Sequence, residues 1–341
     1  MKFVSFATSR APERLGLFID GAVVDLAIAG TKMNLSLPST MGEFLPLGER
    51  GMVLAQKVHD KVIGDKALRI ELDTITLLAP VPHPTSCRDA YAFRQHVATA
   101  RRNRALDMIP EFDQFPIFYF TNHNGIVGPG PVTVETDHLQ QLDFELEAAI
   151  VIGRKGRNVS SKDADNYIAG FMVMNDLSAR VLQMEEMKLS LGPAKGKDFA
   201  TAIGPWLVTP DEIEPHRTRT PFGNAYDLRM TASHNGRQIS DGNLKDMNWT
   251  FAEIIERAAY GADIFPGDVI GSGTVGTGCY LELNGTWALQ AKEQGKPFTP
   301  IWLADGDTIE LEIAGLGKLV NTIARSPEDN SILAKKKQIK A

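Results

Sequence analysis

The chain of 341 residues carries 36 basic against 42 acidic side chains, and its formal charge of −6 argues against a general surface for nucleic acid or other polyanions. Its 43% hydrophobic content, with ordinary glycine and proline usage, places it among soluble globular chains and excludes disorder as the default. No apolar run approaches the ~20 residues needed to span a bilayer. The start, MKFVSFATSRAPERLG, has too short an apolar stretch for a secretory signal, and Glu13 argues against a transit peptide. A cytoplasmic protein with no membrane partner is therefore expected. Cys87 and Cys279 stand far apart, so neither a disulfide framework nor a thiolate metal cluster is indicated.

In chain order, FVSFA and LGLFIDGAVVDL near the start read as short strands, with Asp20-Gly21 as a hairpin turn between alternating apolar stretches. A helical pattern follows over about 40–62. Pro80, Pro82 and Pro84 then exclude helix interior and central strand, so a small N-terminal domain is expected over 1–75, a main domain over 76–330 and a basic tail over 331–341. Beyond the prolines, β-like runs dominate: 115–121, 131–135, 141–153, 170–175, 205–209, 226–234, 268–272, 279–284 and 307–313. A short helix opens at SSKD, 160–163. Thr250 and Glu253 form a capping box for another that stops at Gly261. Many strands with few intervening helices predict an α+β, mainly β fold rather than a doubly wound parallel sheet.

The segment QLDFELEAAIVIG, 141–153, is an electrostatic puzzle. Strand alternation puts Asp143, Glu145 and Glu147 on one face and Leu142, Phe144 and Leu146 on the other. The apolar continuation AAIVIG is typical of burial on both faces. A buried ionised carboxylate without a partner is strongly unfavourable, so these acids need protons, basic partners or a cation. No lysine or arginine follows until Arg154.

Other segments carry further polar groups. In RDAYAFRQHVATARRNR, 88–104, Asp89, Phe93 and His96 share a face if the stretch is helical, and Arg101, Arg102 and Arg104 form either a solvated face or a clamp for an anionic substrate. In MNDLSARVLQ, Asp176, Arg180 and Gln183 are spaced for one helix face, although Asp176 also reads as an N-cap paired with Arg180. The loop SLGPAKGKDFATAIGPW holds Lys195 and Lys197 and suits substrate contact without matching a phosphate cradle. In GDVIGSGTVGTGCYLELNG, glycines alternate with Ser272, Thr274 and Thr277 before an expected strand bearing Glu282. The helix context that a dinucleotide site requires is missing.

Taken together and in order, DAYAFRQH, QLDFELE, MNDLSARVLQ, GPAKGKDFAT, GSGT and YLEL resemble the fumarylacetoacetate hydrolase family over roughly residues 80–315. The likeness is closer to its fumarylacetoacetase branch than to its shorter hydratase and decarboxylase branches. It implies a mixed β-roll catalytic fold and a homodimer. It also implies that Asp89, Glu145, Glu147 and Asp176 are the ligands of a divalent metal. Four carboxylates are hard oxygen donors, which suit Mg²⁺ or Ca²⁺, with Mn²⁺ also compatible, far better than zinc.

The same resemblance implies His96 as a general base oriented by Glu282, with Arg180, Gln183 and Lys197 binding substrate oxygens and stabilising developing negative charge. Tyr91, Tyr119 and Thr274 match further substrate contacts. The implied activity is hydrolysis of a C–C bond in a small 1,3-diketo acid, of fumarylacetoacetate or acylpyruvate type, in aromatic-compound catabolism. Decarboxylation, hydration or isomerisation of a 2-oxo acid is the alternative. Thr121 stands where the shorter relatives carry lysine, which favours hydrolysis, and Met187 replaces a family tyrosine, which bears on substrate choice. Asp143 matches no ligand position.

Overall fold

The alternating apolar residues of the N-terminal segment form three antiparallel strands, Lys2–Thr8, Ala11–Ile19 and Ala22–Asp25, in the computed structural model, which describes residues 1–337. Asp20 and Gly21 take positive φ values of 47° and 85°, as a two-residue hairpin turn of matching twist requires. Lys2–Thr8 also pairs antiparallel with Thr201–Val208, so the N-terminal strands extend the sheet that carries the rest of the chain. That 12-stranded sheet continues through Ile168–Asp176, Leu146–Ile152, Asp268–Gly271, Ser86–Ala90 and Phe118–Thr121 in spatial order. Only the pairing of Asp268–Gly271 with Ser86–Ala90 is parallel along that series.

Leu146–Ile152 lies in the middle of this sheet and is buried at every position, as its apolar run predicts. On one face Ala149 and Val151 pack with Phe3, Leu17 and the helix Gly48–Val62. On the other, Ile150 and Ile152 join Met230, Leu311 and Ile323 from a second sheet of five strands. Each large aliphatic side chain buried here contributes about 1.5–3 kcal/mol. Glu147 sits within this doubly covered strand, where it must be neutralised by a proton, by protein groups or by a bound ion. No described helix is long and apolar enough to cross a membrane.

Residues 279–284, whose alternation reads as a strand, instead open the helix Tyr280–Glu293. The cap comes from far away in the sequence: the Asp143 carboxylate accepts from the Tyr280 and Leu281 amides at 2.7 and 2.9 Å. The expected strand 141–153 is also interrupted. Leu142–Asp143 pairs with Ser178–Ala179, while Leu146–Ile152 enters the large sheet, so Asp143 turns to different partners from Glu145 and Glu147. The strands Ser86–Ala90, Arg237–Asn243 and Gly317–Arg325 escape the sequence pattern because buried polar residues, Arg88, Asp89, Ser240 and Asn321, break their apolar alternation.

The capping box of Thr250 and Glu253 is present at the start of Phe251–Ala259. Near the C-terminus, Asp137 accepts from Ser331 Oγ and from the Ile332 and Leu333 amides, which ties down the first residues of the basic tail. The expected solvated stretch beyond residue 337 lies outside the described residues.

Candidate active site

Sheet order brings four acids from separate segments to one place. Asp89 lies on Ser86–Ala90, Glu147 on Leu146–Ile152, Glu145 just before that strand, and Asp176 ends Ile168–Asp176. Register makes them neighbours: Glu147 pairs with Met174, Leu146 with Asn175, and Gly271 with both Asp89 and Ala149. All four are buried, and one carboxylate oxygen from each lies within 4.8 Å of the others.

Two cations answer part of this charge. Lys197 Nζ donates to Glu145 Oε2 at 2.5 Å and to Asp176 Oδ2 at 2.7 Å, and Arg180 donates to Glu145 Oε1 at 2.8 Å. Burial opposes ionisation of Glu145, yet Lys197 and Arg180 hold its pKa down to about 2. Burial and the charge of Asp176 push Asp89 up to about 8, and burial and the charge of Asp89 drive Glu147 well above the usual carboxylate range. Burial also opposes the charge on Lys197, but Asp176 and Glu145 outweigh it and raise its pKa.

The cation-poor side is shaped for a ligand. The Gly273 amide donates to Asp89 Oδ1 at 3.2 Å and to Glu147 Oε2 at 3.0 Å. A Cβ on Gly271 would meet those same two oxygens at 2.5 and 2.9 Å, so only glycine leaves room for them. Asp176 Oδ1 is buried and has no hydrogen-bond partner among the described residues. An all-oxygen donor set with an unused acceptor fits a hard divalent cation such as Mg²⁺ or Ca²⁺, and the cluster can hold one.

A second constellation adjoins it. His96, in the first turn of Arg94–Arg102, has Nδ1 2.7 Å from Glu282 Oε2, and both side chains are buried. Glu282 Oε1 accepts from the Thr277 amide at 3.0 Å, which fixes the carboxylate. A carboxylate at Nδ1 leaves Nε2 as the proton acceptor.

A cavity of about 430 Å³ gathers Asp89, Tyr91, His96, Tyr119, Glu145, Arg180, Gln183, Lys197 and Thr274 on its wall. Glu147, Asp176 and Glu282 stand directly behind these, bonded to Thr274 (3.5 Å), Lys197 and His96 respectively. Tyr119 donates its hydroxyl to Asp176 Oδ2 at 2.5 Å. Tyr91 meets the His96 ring edge-on, with centroids 6.0 Å apart. Gln183 Oε1 accepts from Arg180 at 2.9 Å. All twelve residues singled out by the resemblance are thus within one connected site.

Three local expectations change. Asp176 is not a helix cap; it ends a strand, and the helix begins at Arg180, so only Arg180 and Gln183 share a helix. Arg180 pairs with Asp143 and Glu145 instead of Asp176. Asp89 and His96 do not share a helix face either, because Asp89 belongs to a strand and His96 to the helix that follows a short link. Sequence reasoning missed the apolar wall of Ile109, Ile117, Met184 and Leu281. It also missed the service of Gly271 and Gly273 to the acids, for which the alternating glycines were the available signal.

Residues 85–324 match the family described as fumarylacetoacetate (FAA) hydrolase, C-terminal. Among curated relatives, the chain is 29% identical over 332 residues to the mitochondrial oxaloacetate tautomerase Fahd2a of Rattus norvegicus, covering 95% of this chain and 91% of that one. It is 28% identical over 337 residues to oxaloacetate tautomerase YisK of Bacillus subtilis, covering 94% and 100%. Among solved structures, fumarylacetoacetate hydrolase from Exiguobacterium antarcticum aligns with a TM-score of 0.69 at 25% identity, over 96% of this chain and all of that one. Maleylpyruvate hydrolase from a Sphingobium species shares the fold, with a TM-score of 0.66 at 20% identity over 96% of this chain and all of that one. With the family match covering more than half its length, the chain belongs to the fumarylacetoacetate hydrolase family.

Proposed function

We propose that the protein is a metal-dependent hydrolase that cleaves a C–C bond in a 1,3-diketo acid. The observation that carries this reading is the buried His96–Glu282 pair, set on the same cavity as the acid cluster and its two cations. Asp89, Glu145, Glu147 and Asp176 would hold the cation, Mg²⁺ or Ca²⁺, which when bound supplies Lewis-acid polarisation of substrate carbonyl oxygens. His96 takes a proton from water at Nε2, and Glu282 stabilises the imidazolium. The hydroxide adds to one carbonyl carbon, and the adduct then breaks the adjoining C–C bond. The bonding pair passes into the enolate of the oxo acid fragment, and His96 returns its proton to that carbon. For an acylpyruvate the products are a carboxylic acid and a 2-oxo acid, and for a fumarylacetoacetate-type substrate a carboxylic acid and a 3-oxo acid.

Lys197 spends two of its N–H donors on Glu145 and Asp176, which leaves one for a substrate oxygen. Lys197 and Arg180 thus present fixed positive charge where the enolate develops. The cavity, at about 430 Å³, falls in the ~300–1,000 Å³ range of pockets for sizeable ligands, and Ile109, Ile117, Met184 and Met187 give it an apolar side. These features leave room for an acyl group with an apolar part beside the charged end of the site. A homodimer, and a cytoplasmic place in aromatic-compound catabolism, complete the proposal on the family resemblance.

Tautomerisation of a 2-oxo acid is the second reading, supported by near-full-length similarity to proteins named oxaloacetate tautomerase. There His96 would move a proton between carbon and oxygen without consuming water. One assay separates the two. Mg²⁺-loaded protein is incubated with a series of acylpyruvates and with enol oxaloacetate, and products are identified. Release of a carboxylic acid and pyruvate supports hydrolysis; intact acylpyruvates with accelerated ketonisation of oxaloacetate overturn it in favour of the second reading. His96→Ala is expected to slow hydrolysis ~10²–10⁴-fold while calorimetric Mg²⁺ binding persists. An unimpaired rate removes His96 as the base.

A further inference from the structure

We propose that Asp143 is a positioning residue that locks the Arg180 guanidinium and the helix bearing Glu282 into a single arrangement. This deepens the function proposed above and rests on it. Asp143 has no exposed surface and does not belong to the four-acid cluster. Its two oxygens accept five N–H donors. The Phe144 and Tyr280 amides reach Oδ1 at 2.9 and 2.7 Å, while Arg180 Nε, an Arg180 terminal nitrogen and the Leu281 amide reach Oδ2 at 2.8, 2.7 and 2.9 Å.

All five of these hydrogen-bond partners are donors. Only an acceptor at both positions satisfies the set, which an ionised aspartate provides and an asparagine does not. From Asp143 the contacts run in two directions. Through Arg180 they reach Glu145 Oε1 in the acid cluster and Gln183 on the cavity wall. Through the amides of Tyr280 and Leu281 they fix the first turn of the helix whose next residue, Glu282, holds His96 at 2.7 Å. One buried carboxylate therefore sets the spacing between the charge-stabilising guanidinium and the base pair. A purely structural ion pair would not need to join both.

The test uses the full-length, Mg²⁺-loaded protein and two readouts. Turnover of the acylpyruvate that the wild type hydrolyses best reads the His96 arm. Calorimetric affinity for oxalate, a small mimic of the 2-oxo acid end, reads the Arg180 arm. Asp143→Asn is expected to lower kcat and oxalate affinity each by ~10–100-fold, the usual cost of losing a group that orients a site. In the double variant with Arg180→Lys, oxalate affinity should fall no further than in the weaker-binding single variant, because both changes disable the same contact.

Losses that multiply in the double variant, or a single variant whose kcat or oxalate affinity stays close to that of the wild type, overturn the proposal. If Asp143→Asn does not fold, Asp143→Ser, which leaves room for water, enters the same cycle and is judged by the same outcomes. Should the wild type hydrolyse no diketo acid, the function proposed above fails, while the oxalate cycle still decides whether Asp143 positions Arg180.

Discussion

On one side of the acid cluster, Glu145 and Asp176 share the ammonium of Lys197, and Glu145 also receives Arg180. On the other, Asp89 and Glu147 share the Gly273 amide and a hydrogen bond with each other, and no cation is bonded to either among the described residues. Burial is comparable on both sides, yet Glu145 is held down to about 2 while Asp89 rises to about 8. The difference lies in where compensating charge comes from. The chain supplies it fully at Glu145 and in part at Asp176, where burial still outweighs Lys197 and raises the pKa, whereas at Asp89 and Glu147 the geometry leaves it to a proton or a bound cation.

The largest effect is expected where the chain's own cation is removed. Lys197→Met leaves Glu145 and Asp176 without their shared partner, and a loss of ~3–5 kcal/mol in denaturant unfolding of the metal-free protein should follow, together with loss of activity. A melting curve that superimposes on the wild type would show that Lys197 does not neutralise this side. An intermediate effect is expected at Gly271, where a methyl group would crowd Asp89 and Glu147. Gly271→Ala should cost ~1–3 kcal/mol of stability, and Mg²⁺ affinity by calorimetry should drop with it. Wild-type Mg²⁺ affinity would mean that the bare backbone there serves packing alone.

The smallest effect on the metal-free protein is expected on the cation-poor side. Gln at 147 keeps the shape of a protonated Glu147, so Glu147→Gln in EDTA should lose far less stability than Lys197→Met does. With Mg²⁺ present, the variant should lose the added stability that the wild type gains from binding. A large drop in EDTA would break the contrast between the two sides.

Parts of this arrangement were legible before any tertiary structure. The Asp20-Gly21 hairpin, the Thr250 capping box and the buried run after Glu147 depend on short-range backbone and burial preferences, and each takes the form its pattern implies. The Tyr280 helix was not legible, because its cap is Asp143, more than a hundred residues away. The strand Ser86–Ala90 was hidden for a related reason. Its buried Arg88 and Asp89 look like loop residues until Asp268 and the acid cluster are seen to occupy them.

What the sequence determined by itself is the chemistry in play: a need to neutralise acids in an apolar strand, the residue types able to do so, and the motif order that marks the family. Which cation meets which acid was decided only by tertiary structure. Arg154, the first base after the acidic stretch, has no part in the cluster, while Lys197 and Arg180 arrive across strand pairings. Asp143 shows the same limit from the other direction. Strand alternation assigns it to the face of Glu145 and Glu147, but a break in the strand turns it toward Arg180 and the Tyr280 helix. Local periodicity specifies the direction of a side chain only while the strand stays regular, and electrostatic partners are set by distances that periodicity does not contain.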